Sequence, residues 1–147
     1  MTLSSISHKH GFSVVGRVML ERPDYLQILV DLGCHPNDLG TVTWNSVTRA
    51  VDVSGFVDLA GKGLTKLPFQ FGRVGGGFYC ADNRLTNLQG APREVGRNFH
   101  FSTDSLVDVS ALRGCKIKGT LYLDGPRADQ ERVTKLLRAQ GYRGKIL

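Results

Sequence analysis

Polar or aromatic side chains recur along the middle of the chain, each between two apolar residues and 21 or 22 residues from the next. This alternation is typical of β-strands that bury one face and expose the other. Aromatic side chains provide a large contact area at little ordering cost and are enriched at binding hot spots. We therefore expect either a strip that binds a partner protein or cross-strand pairs that only stabilise a sheet. The strip comprises Asp58, Tyr79, His100 and Tyr122, flanked by Phe56 and Asp124.

Catalytic and metal-binding chemistry has less support in the residue pattern. Cys34 and His35 are adjacent, and neighbours on one helix or strand do not usually face each other as a nucleophile and its base do. His8 and His10 could join them in a metal site, but no Cys-x-x-Cys or His-Glu-x-x-His spacing is present. The glycine-rich residues 72–77 lack the Gly-Lys-Ser/Thr of a phosphate-binding loop. We expect no enzyme, no metal and no cofactor.

Positive charge is concentrated near the end of the chain. The formal net charge is +6, and the residues after Pro126 contribute six basic against two acidic side chains, a net of +4. Such a segment is either the solvated face of a helix or a nucleic-acid surface whose affinity would fall steeply with salt. The candidates for phosphate contacts are Arg132, Lys135, Arg138, Arg143 and Lys145.

A 21-residue repeat would position the strip. Leucines lead each unit at Leu64, Leu85 and Leu106, and an apolar pair stands seven and five residues before each of them. A fixed period of about 20 to 29 residues with this spacing is typical of a leucine-rich-type solenoid. The repeats span residues 55–74, 75–95 and 96–117, with a partial fourth strand at 120–123. Glycines at 75–77 and 96 precede two strands, where we expect tight turns with positive φ.

Elements at the two ends are expected to cover this solenoid. Residues 22–33 predict a helix with Pro23 in its first turn and Gly33 at its end. Residues 42–44 and 50–53 predict a hairpin turning at 45–49. Residues 128–140 predict an amphipathic helix that buries Val133, Leu136 and Leu137, and residues 1–20 receive no assignment. The expected single α+β domain thus has a front segment (1–54), repeats (55–124) and a basic helical cap (125–147).

Composition limits the class of protein. The chain has 147 residues of which 41% are hydrophobic, enough for one globular domain. No apolar run has the length of a membrane span, and the first residues do not resemble a secretory signal peptide. Three cysteines at wide spacing do not suggest a disulfide framework. We expect a cytoplasmic protein with no membrane partner.

Residues 43–101 resemble the leucine-rich-repeat-like proteins of tailed bacteriophages. The resemblance is most specific at residues 77–88, Gly-Phe-Tyr-Cys-Ala-Asp-Asn-Arg-Leu-Thr-Asn-Leu, and at the Gly-Ala-Pro of residues 90–92. It implies a phage-encoded solenoid in which Asn83 hydrogen-bonds neighbouring backbone, whereas the matching positions hold Lys62 and Asp104. The resemblance implies no established activity.

Together, repeats and resemblance lead us to expect a small binding module. Its partner would be a host or phage protein, and it would act as an inhibitor or adaptor of a host defence or transcription protein. Nucleic-acid binding through the basic end and a structural role in the virion remain alternatives. The sequence does not predict the oligomeric state.

Overall fold

The computed structural model describes residues 11–15 and 18–147, and its elements alternate short strands with three helices. The strands are β1 (Gly11–Val15), β2 (Val18–Arg22), β3 (Val42–Asn45), β4 (Ala50–Val53), β5 (Val57–Asp58), β6 (Phe71–Val74), β7 (Phe78–Cys80), β8 (Glu94–Val95), β9 (Phe99–Ser102), β10 (Lys116–Ile117) and β11 (Leu121–Asp124). The helices are α1 (Tyr25–Asp31), α2 (Pro36–Leu39) and α3 (Arg127–Ala139), with a 3-10 turn at Ser110–Leu112.

The repeats form a β-solenoid of about four turns. Each turn contributes one strand to each of two sheets: sheet I has the order β10-β8-β6-β4-β3, and sheet II has the order β11-β9-β7-β5. All neighbours pair in parallel except the β3–β4 hairpin. The sequence predicted the hairpin and the strands of sheet II, and the structure confirms them. The separate strands β6, β8 and β10 of sheet I were not foreseen.

Apolar residues of the repeats fill the space between the sheets. The paired positions before each leucine point inward, and all of them are at most 1% exposed. Aromatic rings in this core meet edge to face, with centroid separations of 4.9 Å between Phe71 of sheet I and Phe78 of sheet II and 5.2 Å between Phe78 and Phe99 of neighbouring turns. On the third side of the coil, loop residues such as Leu88 and Leu106 complete the core.

At the front of the chain the structure shows a strand pair where no element was predicted, and it corrects the start of the predicted helix. Strands β1 and β2 pair antiparallel, so Arg22 ends a strand and does not begin a helix. Helix α1 begins at Tyr25, and Asp24 is its N-cap, because its carboxylate accepts the Gln27 N–H at 3.1 Å. Only Leu29 of α1 is fully buried, whereas Leu26 is 39% exposed. Pro23 therefore precedes the helix.

Helix α3 forms where the sequence predicted a helix, but it buries a narrower stripe. Val133 and Leu137 are buried, whereas Leu136, also expected in the core, is 40% exposed. Beyond α3 the chain turns back, and residues 145–147 pair with the outer edge of β11: the Leu121 N–H donates to the Lys145 carbonyl at 2.9 Å. Sheet II thus gains a fifth strand-like segment. Within the described residues, no helix is long and apolar enough to cross a membrane.

Glycines at the corner between the two sheets allow adjacent turns to approach closely. The expected positive φ at Gly75 and Gly96 is wrong, because neither adopts it. A Cβ on Gly75 would collide with the carbonyl oxygen of Ser54, and one on Gly96 with the carbonyl oxygen of Gly75. The Gly96 N–H also donates to the Val74 carbonyl at 2.8 Å. Glycine is therefore required at this corner because no space is left for a Cβ.

We expect Gly96→Ala to lower the free energy of unfolding by about 3 kcal/mol. The added Cβ would collide with main-chain atoms of the adjacent turn, and these can give way only if the two turns move apart. Gly61→Ala is the comparison, since Gly61 has φ +66° but open space around it, and should cost about 1 kcal/mol. Urea unfolding of both variants measures the difference. Equal losses would contradict the role assigned to close approach.

Candidate interaction surface

Parallel registration brings the predicted strip together on the outer face of sheet II. Asp58 lies opposite Tyr79, Tyr79 opposite His100, and His100 opposite Tyr122. Their apolar neighbours in each strand point into the core, so these four side chains face outward. The structure therefore places the four residues in one continuous row across four strands. Asp124 lies two residues beyond Tyr122 on the same face of β11, opposite Ser102.

The aromatic members of the strip form two edge-to-face pairs. Phe56 and Tyr79 have ring centroids 6.2 Å apart at 75°, and His100 and Tyr122 have centroids 6.0 Å apart at 61°. Phe56 is 36% exposed and Tyr122 37% exposed, while Tyr79 and His100 are half-buried. Such pairs contribute to sheet stability and still present apolar ring surface to solvent. The two sequence interpretations of the strip are therefore compatible.

Gly77 shapes this surface by leaving room for a ring. A Cβ on Gly77 would collide with the Tyr79 hydroxyl and lie 2.9 Å from Cε2 of the same ring. The Tyr79 side chain therefore lies along the sheet across Gly77. Without a Cβ at position 77, the Tyr79 ring has room on the outer face of sheet II.

Carboxylates lie at the two ends of the strip. The Asp58 side chain is exposed and accepts the Ala60 N–H at 3.1 Å, which fixes its direction at one end. Asp124 is exposed at the other end. The strip thus has an aromatic centre and acidic ends, and it favours a partner with an apolar patch between basic groups.

The guanidinium groups of Arg132 and Arg138, two of the five basic residues proposed for phosphate contacts, bond the protein's own backbone. Arg132 donates to the Thr103 carbonyl at 3.2 Å and contacts Asp129 at 3.3 Å. Arg138 donates to the carbonyls of Tyr142 and Gly144 at 3.0 and 2.8 Å. These guanidinium groups hold α3 against the repeats and shape the loop behind it.

The other three basic residues of that set are exposed. Arg143 is exposed, although its guanidinium donates to the Arg138 carbonyl at 3.0 Å. Lys135 on α3 and Lys145 in the final segment are exposed, and the Lys145 backbone pairs with β11. The five residues therefore do not form one uniform phosphate-binding face.

A row of charged residues on sheet I was not predicted from the sequence. Arg73 and Lys116 both lie opposite Glu94 on the outer face, and Arg73 Nε is 3.0 Å from Glu94 Oε2. The Asp52 carboxylate accepts the Arg73 backbone N–H at 2.8 Å. The signs of Asp52, Arg73, Glu94 and Lys116 alternate from strand to strand. The sequence does contain a pattern that would have predicted this row, because the four positions follow the same spacing of 21 or 22 residues as the strip.

The cysteine and histidine residues considered for catalysis are held in structural contacts. The Cys34 thiol donates to the Asp58 carbonyl at 3.4 Å, and burial raises its pKa, so it stays protonated at neutral pH. His35 is the N-cap of α2, where its Nδ1 accepts the Asn37 N–H at 3.1 Å. His8 and His10 lie outside the described residues. Among the described residues, no cluster of three His, Cys, Asp or Glu side chains could hold a metal ion.

Burial also affects the two other cysteines. It raises the pKa of the Cys80 thiol, which lies in the core, and raises the pKa of the Cys115 thiol to about 12. Both are therefore thiols at neutral pH, and Cys115 donates to the Pro92 carbonyl at 3.2 Å. All three cysteines are free in the structure.

Fold and surface define the class of this protein as a β-solenoid with an α-helix after its last turn. Its exposed sheet face carries an aromatic strip. Comparisons with protein-family models, with curated proteins and with solved structures find no match.

Proposed function

We propose that this protein is a small binding module that contacts a partner protein through the strip on sheet II. The observation that carries the proposal is the registration of Asp58, Tyr79, His100 and Tyr122 into one exposed row. Repeats that stack into extended surfaces serve as binding scaffolds, and aromatic residues dominate the energetics of many interfaces.

The scaffold is proposed to be of the leucine-rich-repeat type with a cap at its N-terminal end. Packing of Tyr25 supports the cap: its ring stacks on Trp44 of β3 at 5.6 Å and meets Phe69 of the first repeat at 5.0 Å. Helix α1 is thereby joined to the hairpin and to the first turn. Because β3 ends sheet I with an antiparallel pairing, the hairpin also interrupts the parallel stacking there.

The biological setting is proposed from the resemblance of residues 43–101 to phage proteins. The protein would be phage-encoded, would act in the cytoplasm of the host cell, and would inhibit or recruit a host protein of defence or transcription. A binding module without its own chemistry is suited to either action, because occupying a surface can block a site or bring two proteins together.

The first test replaces Tyr79, His100 and Tyr122 together by alanine. We expect partner recovery from a bacterial lysate by the tagged protein to fall at least about 30-fold, which corresponds to roughly 2 kcal/mol of binding free energy. The partner is identified by mass spectrometry of the wild-type capture, with and without nuclease. The fold of each variant is checked by circular dichroism and thermal unfolding.

A matched variant, Val47→Ala with Val107→Ala, removes exposed apolar groups away from the strip. These side chains are 90% and 73% exposed, so their loss should leave both capture and fold unchanged. Undiminished capture by a folded triple variant would reject the strip. Capture lost on nuclease treatment would instead favour nucleic-acid binding through the basic end. A large assembly at micromolar concentration would favour a structural role in the virion.

A further inference from the structure

No described segment pairs with the outer edge of β10 in sheet I, whereas a strand-like segment pairs with the corresponding edge of β11 in sheet II. In sheet II, residues 145–147 take that place, and the Leu147 N–H donates to the Leu121 carbonyl at 2.9 Å. In sheet I, β10 is the terminal strand within the described residues. The Lys116 and Lys118 N–H groups point toward β8 and donate to the carbonyls of Arg93 and Val95 at 3.0 Å. Because polar groups alternate sides along a strand, the N–H and C=O of Ile117 face the open edge.

A cleft of about 460 Å³ lies beside this open edge, between β10 and the loop that follows α3. Its lining combines an apolar part, from Leu112, Ile117 and Tyr142, with a cationic rim. The Tyr142 hydroxyl is buried and has no hydrogen-bond partner among the described residues. The rim consists of Arg113, Lys116, Lys118 and Arg143. The edge therefore has space, unpaired backbone groups and a net positive field at the same place.

Two rows of sheet I indicate what would continue the sheet at this edge. The outer row alternates in sign through Asp52, Arg73, Glu94 and Lys116, so the next residue in register is complementary if it is acidic. The inner row, formed by Val53, Val74, Val95 and Ile117, is β-branched throughout. A β-branched residue in the next position would pack on Ile117, which is only partly buried.

We propose that the outer edge of β10 binds an extended acidic segment of a partner protein, which adds to sheet I as a sixth strand. Its carboxylate lies beside Lys116, its β-branched side chain lies on Ile117, and Arg113 and Arg143 attract further acidic residues. Main-chain pairing supplies affinity and the two side-chain positions supply selectivity, as in other cases of strand addition. This edge belongs to the other sheet, so the inference does not depend on the strip of sheet II.

An acidic peptide fits the cleft better than a nucleic acid does. Phosphate groups would use the cationic rim but would leave the Ile117 backbone groups and the apolar floor of the cleft unused. A peptide strand uses the cations, the floor and the backbone together.

The test titrates the full-length, 15N-labelled protein with the peptide acetyl-Ser-Glu-Val-Glu-Ser-amide and follows the backbone amides by NMR. We expect saturable shifts at residues 115–118 and slower hydrogen exchange of the Ile117 amide. A peptide with Lys in place of Glu should not bind. A peptide methylated on the valine nitrogen should bind more weakly, because it loses a main-chain donor.

The paired variants Lys116→Glu/Lys118→Glu should weaken binding at least about tenfold. Lys66→Glu/Lys135→Glu makes the same charge change at two other exposed lysines and should leave affinity within about twofold. The triple alanine variant of the strip should bind the peptide normally. The triple variant therefore tests binding at the β10 edge separately from the proposed function of the strip.

Four outcomes would overturn the proposal. Equal weakening by both lysine pairs would show that only net charge matters. Unchanged exchange at Ile117 on saturation would exclude strand addition. Displacement of the peptide by oligothymidylate at physiological salt would assign the rim to nucleic acid. Concentration-dependent self-association that protects Ile117 would make a second copy of this chain the occupant.

Discussion

Replacing Phe99 by alanine should lower the free energy of unfolding by about 3–5 kcal/mol. Phe99 is fully buried in β9, with ring centroids 5.2 Å from Phe78 of the preceding turn and 5.7 Å from Phe101 of its own strand. Truncation removes both aromatic contacts and leaves a cavity between neighbouring turns. Each turn of a solenoid is stabilised mainly by the turns beside it, so the loss is not compensated elsewhere. Urea unfolding followed by circular dichroism measures the change.

Phe56→Ala is the matched control, because it makes the same truncation on the exposed face of the solenoid. Phe56 is 36% exposed and makes an edge-to-face contact with Tyr79, so we expect a loss of at most about 1.5 kcal/mol. Phe99→Leu, which keeps most of the volume, should fall between the two. A loss below about 2 kcal/mol for Phe99→Ala would mean that the turns collapse around the cavity.

Period-two alternation made sheet II predictable from the sequence. At residues 78–80 and 99–101 an apolar residue stands on each side of a polar or aromatic one, and the 21-residue period fixes which strands lie in register. Once the inward residues were assigned, the outward row of the strip followed from the geometry of a strand. The prediction needed no knowledge of side-chain contacts.

Sheet I was harder to recognise because its strands are short and its corners depend on contacts between turns. Strand β8 has only two residues, Glu94 and Val95, too few to show an alternation. The glycine at position 96 suggested positive φ, but the space beside it is filled by the Gly75 carbonyl of another turn. Local sequence does not report such an approach, since it depends on how the turns stack.

The candidate sites show the same division between local and non-local information. Local pattern placed the strip correctly on one face, but it grouped Arg132, Arg138 and Arg143 by sequence proximity. Arg132 is directed to the Thr103 carbonyl because α3 packs on the repeats, whereas Arg138 and Arg143 bond carbonyls of the helix end and of the loop after α3. The cleft beside β10 depends on the same loop, so it could not be inferred from the repeat.

Asn83→Ala should cost about 3 kcal/mol or more, because this one side chain satisfies backbone groups of two adjacent turns. Its Oδ1 accepts the Lys62 and Leu64 N–H groups at 3.1 and 2.8 Å. Its Nδ2 donates to the Leu59 carbonyl at 2.7 Å and to the Cys80 carbonyl at 3.1 Å. Asn83 is 8% exposed, so alanine would leave these groups with little access to water. Thermal and urea unfolding report the loss.

Asn87→Ala is the matched control for this prediction, since the exposed Asn87 side chain accepts only the Gln89 N–H and should cost about 1 kcal/mol or less. Asn83→Asp separates the two halves of the interaction. The carboxylate can still accept from the preceding turn, but it cannot donate and would face carbonyl oxygens, so we expect a loss at least as large as that of alanine at neutral pH. A small loss for both Asn83 variants would mean that backbone pairing alone holds the turns in register. The matching positions of the neighbouring turns hold Lys62 and Asp104, so backbone pairing must hold those turns in register without an asparagine. The large loss of stability is therefore expected only at the turn that contains Asn83.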